Sequence, residues 1–536
     1  MTDISRRDVL GGTGKLAIAA GATGAAPGLA WLTPRSRKAG QPRRGHPQPG
    51  HPQPGRPPAG SGSSRPQWRR PRPDWDQLSH QLRGRLLRPG DRGFTAASLP
   101  YNRRYAAITP GGVALCADTA DVAAAVRWAR RYEVPFAARS GGHSYGGYSA
   151  SRGLVISLAP MNAIRVDRGA LTVTAGAGAR NRDLYARLKG TGVAVPSGRC
   201  PTVGLSGLLL GGGFGFSSRH LGLTCDQLLE TEIVTAAGEI VRVTRRSHPS
   251  LFWACQGGGG GNFGINTGYT LRAAPVGRVS VYKLEWAWPQ AAAALDAVLT
   301  LMSGAPATLS CRVGLGVAAG GPVTGGTPER SVSAIGLYFG PARDLTELLA
   351  PVLAAARPAI RVIEDRGYGD AQAFLAHSVP SGRFASRSRF LPRALPAAGI
   401  DTAIRWVERW PGSSNAGGGG MTLFAWGGRI NHVPPGATAF VHRDAAFLMD
   451  TETSWTVRDS PRVVSAGLDW LDGIYRALAP FGSQQAYQNF IDPALADWQH
   501  AYYGANLPRL KQVKRDWDPD RVFKFPQAIP DAPARV

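Results

Sequence analysis

A chain of 536 residues, 43% of them hydrophobic, has enough apolar surface for a large core and two or three domains. Its formal charge of +26 invites a nucleic-acid reading, but residues 1–72 alone hold thirteen Lys/Arg against Asp3 and Asp8, and no basic-aromatic motif follows. Specific base readout is therefore not supported, and nucleic acid is not an expected partner. None of the five cysteines (Cys116, Cys200, Cys225, Cys255, Cys311) forms a CxxC pair, so no metal site is expected, and one is left over if the rest pair.

In chain order, "SRRDVL" (Ser5 to Leu10) places a twin-arginine pair before a mildly apolar, Gly/Ala-rich run from Leu16 to Leu32. The run is too short and weak to span a membrane, so stable membrane insertion is not expected. Residues 1–32 resemble a Tat-type export signal, with Val9 where that pattern usually has Phe, and imply a secreted or extracytoplasmic protein. A basic tail that is never cut is the other reading. Residues 33–75 repeat "GHPQP" and are dense in Pro, Gly and Arg, which predicts a disordered linker with little to bury.

"DTADVAAAVRWARRYEVPFAARS" predicts a helix with Asp121 as N-cap and Val122, Ala125, Val126 and Ala129 on one face, then a short strand "VPFAAR". The strand feeds "RSGGHSYGGYS" (Arg139 to Ser149). Either this is a flexible turn with His143 on the surface, or the backbone must approach a ligand closely with His143 aimed at it. Strand-then-glycine geometry suits backbone N–H groups that hold a pyrophosphate. It is not the Rossmann fingerprint, because no GxGxxG opens a helix there. "GLVISLAPMNAIRVD" and "ALTVTAGAGARNRDLYARL" predict further strands and a helix.

Three more segments follow: "SGRCPTVGLSGLLLGGGFGF" from Ser197, "SLFWACQGGGGGNFGI" from Ser250, and "AYQNFIDPALADWQHAYYGANLPRLKQVKRDWDPDRVFKFPQAI" from Ala486. With the His143 loop, these resemble the berberine bridge enzyme-like flavoproteins of the vanillyl-alcohol oxidase/p-cresol methylhydroxylase type. The resemblance spans about residues 97–275 and 480–530. It implies an α+β fold: a two-part FAD-binding domain (97–275, completed by 481–533) around a substrate domain (276–480) with an antiparallel sheet backed by helices. It also implies FAD as cofactor, bonded covalently through His143 and Cys200. Arg139, Ser140, Gly141, Gly142, Ser144, Gly146, Gly147, Val203, Gly204, Gly207, Gly211, Gly212, Gly213 and Asn489 are implied to contact it. Val203 matches a position resembling a gate, where valine goes with oxygen access.

In the central region "VSVYKLEWAW", "SVSAIGLYFG", "MTLFAWGGRINHV" and "AAFLMDTETSW" predict strands, "LTELLAPVLAAA" and "VVSAGLDWLDGIYRAL" helices, and "AGGGG" (Ala416 to Gly420) a loop. The chain departs from the family where tyrosines are common, with Phe214 and Phe490 in their place. Phenylalanine takes no proton, so another base is needed. Strand alternation puts Leu448, Asp450 and Glu452 on one face. Asp450 is the expected general base if that face meets the flavin, and an ordinary solvated carboxylate if it does not. Glu452, Tyr145 and Tyr487 are the further catalytic candidates. The expected activity is oxidation of a small-molecule alcohol, sugar or secondary metabolite, with O2 as acceptor. A dehydrogenase with another acceptor, a flavin binder without turnover, and a polyanion-binding tail protein remain open.

Overall fold

The computed structural model describes residues 72–318, 328–377 and 381–530. The twin-arginine segment and all but the end of the expected linker lie outside the described residues.

The first sheet pairs β1 (Arg85–Leu87), β2 (Gly112–Leu115), β3 (Phe136–Arg139) and β4 (Leu154–Ser157) in the order β1-β2-β4-β3. Its β2–β4 and β3–β4 pairs are parallel. The helix Thr119–Arg131 connects β2 to β3 and buries Val122, Ala125, Val126 and Ala129, the stripe expected from the sequence. Its cap differs from the expectation. Asp118 is the N-cap and accepts from the Asp121 N–H at 3.0 Å. Asp121 is buried inside the first turn, where its carboxylate accepts from the N–H groups of Arg83, Gly84 and Ala117. Two backbone donors from a neighbouring segment and one from the helix's own lead-in outcompete a capping role for it.

The second sheet is antiparallel: β5 (Ile164–Asp167), β6 (Thr172–Gly176), β8 (Leu228–Val234), β9 (Ile240–Thr244) and β10 (Ile265–Arg272), ordered β5-β6-β10-β8-β9. The short β7 (Val193–Ala194) pairs with β11 (Ala274–Pro275). Both larger sheets share one core, which also takes in Tyr502, Leu510, Val513, Phe523 and Ile529 from the C-terminal segment.

The third sheet has seven antiparallel strands: β12 (Arg278–Trp286), β13 (Arg312–Val317), β14 (Arg330–Tyr338), β15 (Ile360–Gly367), β16 (Arg383–Leu391), β17 (Gly419–Ala425) and β18 (Phe447–Trp455). Their order is β15-β12-β14-β13-β17-β18-β16. Alternation gives the sheet two different faces. Val313, Leu315, Met421, Leu423, Phe447 and Met449 pack against the helices Ala291–Gly304, Ala342–Ala355, Ala397–Glu408 and Pro461–Ala477. The opposite face carries Arg312, Thr422, Phe424, Asp450, Glu452 and Ser386 toward a cavity. Gly419 and Gly420, expected in a loop, already belong to β17. Among the described residues no helix is long and apolar enough to cross a membrane.

Candidate active site

The cavity has a volume of about 1120 Å³ and lies between the glycine loop after β3 and the bare face of the seven-stranded sheet. The loop is built for close approach. Gly142 and Gly147 sit at φ +75° and +76°, which a side chain rarely tolerates. A Cβ on Gly141 would come within 2.2 Å of the Gly204 nitrogen, so the two glycine turns pass in contact. The Ser140 hydroxyl donates to the Ala177 carbonyl at 2.6 Å, and Ser144 Oγ accepts from the Tyr148 N–H. Both hydroxyls therefore shape the loop.

His143 is the side chain this loop presents. Its Nε2 lies 2.8 Å from Thr202 Oγ1, and its ring stacks on Tyr101 with centroids 3.6 Å apart. Burial, with Arg180 adding to it, pushes its pKa down to about 3, so the imidazole is neutral. Cys200 lies on the facing turn, its Sγ 3.9 Å from the same Thr202 hydroxyl. It is half-buried, whereas Cys116, Cys225, Cys255 and Cys311 are buried; all five are free thiols, so the disulfide pairing considered from their number does not occur.

On the sheet wall, Asp450 accepts from Ser386 Oγ at 2.5 Å. Burial raises its pKa above the usual carboxylate range, against the opposing hydrogen bond from Ser386 and the charges of Arg312 and Arg199. Glu452, one strand repeat along, is raised further, by burial first and then by Asp450. The face that carries them is thus the cavity wall and not a solvated surface.

The two tyrosine candidates are differently placed. Tyr487 is buried, and its hydroxyl oxygen accepts from the Gly213 N–H at 3.1 Å and from Asn489 Nδ2 at 2.9 Å. Tyr145 stacks on Phe490 with rings 2° from parallel. Burial raises both phenols, and at Tyr145 Asp450 and Glu452 raise it more, so both stay protonated. Phe214 and Phe490 join Phe424, Trp426 and Tyr487 in one aromatic cluster, an apolar wall where a phenol base would otherwise stand.

An FAD binding domain model matches residues 110–244, and a model described as berberine and berberine like matches 486–530. An uncharacterised FAD-linked oxidoreductase of Bacillus subtilis is 33% identical over 84% of this chain and 97% of its own length. The chain belongs to the berberine bridge enzyme-like family of FAD-linked oxidoreductases. Another relative, a xylooligosaccharide oxidase of Thermothelomyces thermophilus, is 30% identical over 81% of this chain and 89% of its own. The solved structure of a berberine bridge enzyme-like protein from Physcomitrella patens superposes with a TM-score of 0.76 at 28% identity, covering 85% of this chain and 99% of that one.

The residues of this berberine bridge enzyme-like chain fit FAD. A Cβ on Gly207 would meet nothing within 4 Å, so its bare backbone faces open cavity. Ser140, Gly141, Gly142, Ser144, Gly146, Gly147, Val203, Gly204 and Asn489 also line the space. Arg139, Gly211, Gly212 and Gly213 do not. Arg139 turns away to the carbonyls of Ser149, Ala97 and Ser98. Gly211 is covered by Asn489, 2.2 Å from where its Cβ would sit, and Gly212 and Gly213 have positive φ. These glycines make the turn behind the wall. Sequence reading missed Tyr101, Thr202, Arg199, Arg312 and His377, all but Thr202 of which line the cavity. Arg199 and Thr202 flank Cys200, which was a signal available in the chain itself.

Proposed function

We propose that this FAD-linked oxidoreductase oxidises a hydroxyl group of a small molecule, with Asp450 as general base and O2 as final acceptor. FAD, when bound, would supply the hydride acceptor and the two-electron reduction of O2 to hydrogen peroxide. The observation that carries the reading is Asp450 itself: an acid of raised pKa, held by Ser386, on the cavity face opposite the glycine loop. Asp450 Oδ takes the hydroxyl proton as the carbon-bound hydrogen leaves with its electron pair. Tyr145 and Tyr487 keep their protons and line the site as donors and packing surfaces. The apolar cluster around Phe214 excludes water, which raises the basicity of the buried carboxylate.

His143 and Cys200 are the proposed attachment points for the cofactor. With Nε2 engaged by Thr202, the Nδ1 of a neutral imidazole is the nitrogen left to bond. The twin-arginine pair Arg6–Arg7 supports export of the protein already folded around its cofactor.

The test of the oxidase reading is reoxidation. Photoreduced protein mixed with air should return to the oxidised flavin spectrum quickly and release peroxide, and Val203→Ile should slow that step. Slow reoxidation of the wild type by air, with fast reoxidation by a quinone, would make the chain a dehydrogenase.

A further inference from the structure

Beside Asp450 the cavity holds two guanidinium groups that the chemistry above does not use, Arg199 and Arg312. Arg312, on β13, donates from Nη2 to Thr422 Oγ1 at 2.9 Å and from Nη1 to Ser333 Oγ at 3.4 Å. Its guanidinium lies across Gly314, where a Cβ would come within 2.9 Å of Nη2. Its Nε is buried and has no hydrogen-bond partner among the described residues. Arg199, on the Cys200 turn, makes no side-chain hydrogen bond and no contact ion pair among the described residues; its guanidinium lies 5.9 Å from the Phe424 ring. Arg312 likewise hydrogen-bonds only neutral hydroxyls among the described residues. Neither arginine pairs directly with Asp450 or Glu452, although both feel the Asp450 charge.

The charge count of the cavity follows from the proposed base. Asp450 must be ionised to accept a proton. Glu452, beside it and raised by burial and by the Asp450 charge, then holds its own proton. His377 also lines the space and is neutral, pushed down to about 4 by burial and by the two arginines. Arg383 and Lys524 line the cavity too, but Arg199 and Arg312 are the cations whose charge acts on Asp450, so at the sheet wall two cations face one anion. An unmatched guanidinium out of water is costly and is met in proteins by a counter-ion. A guanidinium fork fits a carboxylate in two parallel hydrogen bonds, which is the counter-ion that the arginine pair beside Asp450 suits.

We infer that the substrate carries a carboxylate, which Arg199 and Arg312 bind while Asp450 faces the reacting hydroxyl. A sugar acid or a hydroxylated aromatic acid has that chemistry. The inference rests on Asp450 being the base, and it separates this chain from a neutral oligosaccharide oxidase.

The experiment uses the full-length, flavin-loaded protein under nitrogen, titrated by calorimetry with glucuronate and, separately, with glucose. The two differ only in the carboxylate, and binding is read without turnover. Glucuronate should bind at least about tenfold more tightly than glucose. Arg199→Met and Arg312→Met should each weaken glucuronate about ten- to a hundredfold, and Arg199→Lys should recover part of the loss. Flavin content and melting temperature of each variant show whether it folded; Arg199, on the cavity surface, carries the test if Arg312→Met does not fold. Equal affinity for the two sugars, no binding of either, or glucuronate affinity unchanged in both methionine variants would overturn the inference. Glucuronate binding with no flavin reduction by any hydroxylated acid would instead sink the oxidase reading and leave the anion site standing. Flavin reduction by neutral sugars with no glucuronate binding would do the reverse.

Discussion

In the proposed reaction, turnover depends on Asp450. Removing the base while keeping the shape, in Asp450→Asn, should slow anaerobic flavin reduction by about 10²–10⁴-fold with flavin still bound. Glu452→Gln should cost less, since Glu452 holds its proton already. The pH dependence has a definite sign. Asp450 works ionised and its pKa is raised, so the reduction rate should fall as pH drops into the mildly acidic range, above where an ordinary carboxylate would titrate. Stopped-flow reduction across pH checks both, and a wild-type rate in Asp450→Asn would move the role elsewhere. His143, Cys200 and Asp450 could be named from the chain because short motifs and strand alternation mark them. Arg312 could not: glycines at 314 and 316 break the apolar rhythm of β13, so the strand that aims it went unread. The bonds from Gly213 and Asn489 to the oxygen of Tyr487, a further catalytic candidate, were not legible either, because they come from loop geometry.

The elements repeat this division. β12, β14, β17 and β18 alternate or run apolar long enough to be legible, and so do the helices Ala342–Ala355 and Pro461–Ala477. β15 ("IRVIEDRG") and β16 ("RFASRSRFL") are rich in charge and serine, and were missed because their polar positions serve a sheet edge and a cavity wall. The C-terminal helix Leu507–Trp517 was legible only as part of a motif; besides packing Leu510 and Val513 into the core, it places one buried cation. Lys514 Nζ, buried, donates to Asp518 Oδ2 at 2.6 Å and to the carbonyls of Asn262 and Phe523 at 2.7 Å. It thereby ties the C-terminal segment to the glycine turn at 257–262. Breaking such a pair leaves a buried carboxylate unmatched, so Lys514→Met should cost about 3–5 kcal/mol. Urea unfolding of the flavin-loaded protein measures this, and a loss under about 1 kcal/mol would show that the tie is dispensable.

For the whole molecule, the FAD-linked fold and its place in the berberine bridge enzyme-like family were legible because several motifs recur in order. The charge count and the direction of each cavity side chain were not, because they depend on three sheets meeting. Export belongs to this scale too. Replacing Arg6 and Arg7 by lysine should leave active, yellow protein in the cytoplasm of an expressing bacterium, and unchanged secretion would remove the assignment. One loop and one facing turn are proposed to hold FAD through His143 and Cys200, whose side chains converge on the Thr202 hydroxyl. Mass spectrometry of the denatured protein tests it most directly. The wild type, His143→Ala and Cys200→Ala should each retain one flavin mass after unfolding, and the double variant none. Release of all flavin from the denatured wild type would contradict it.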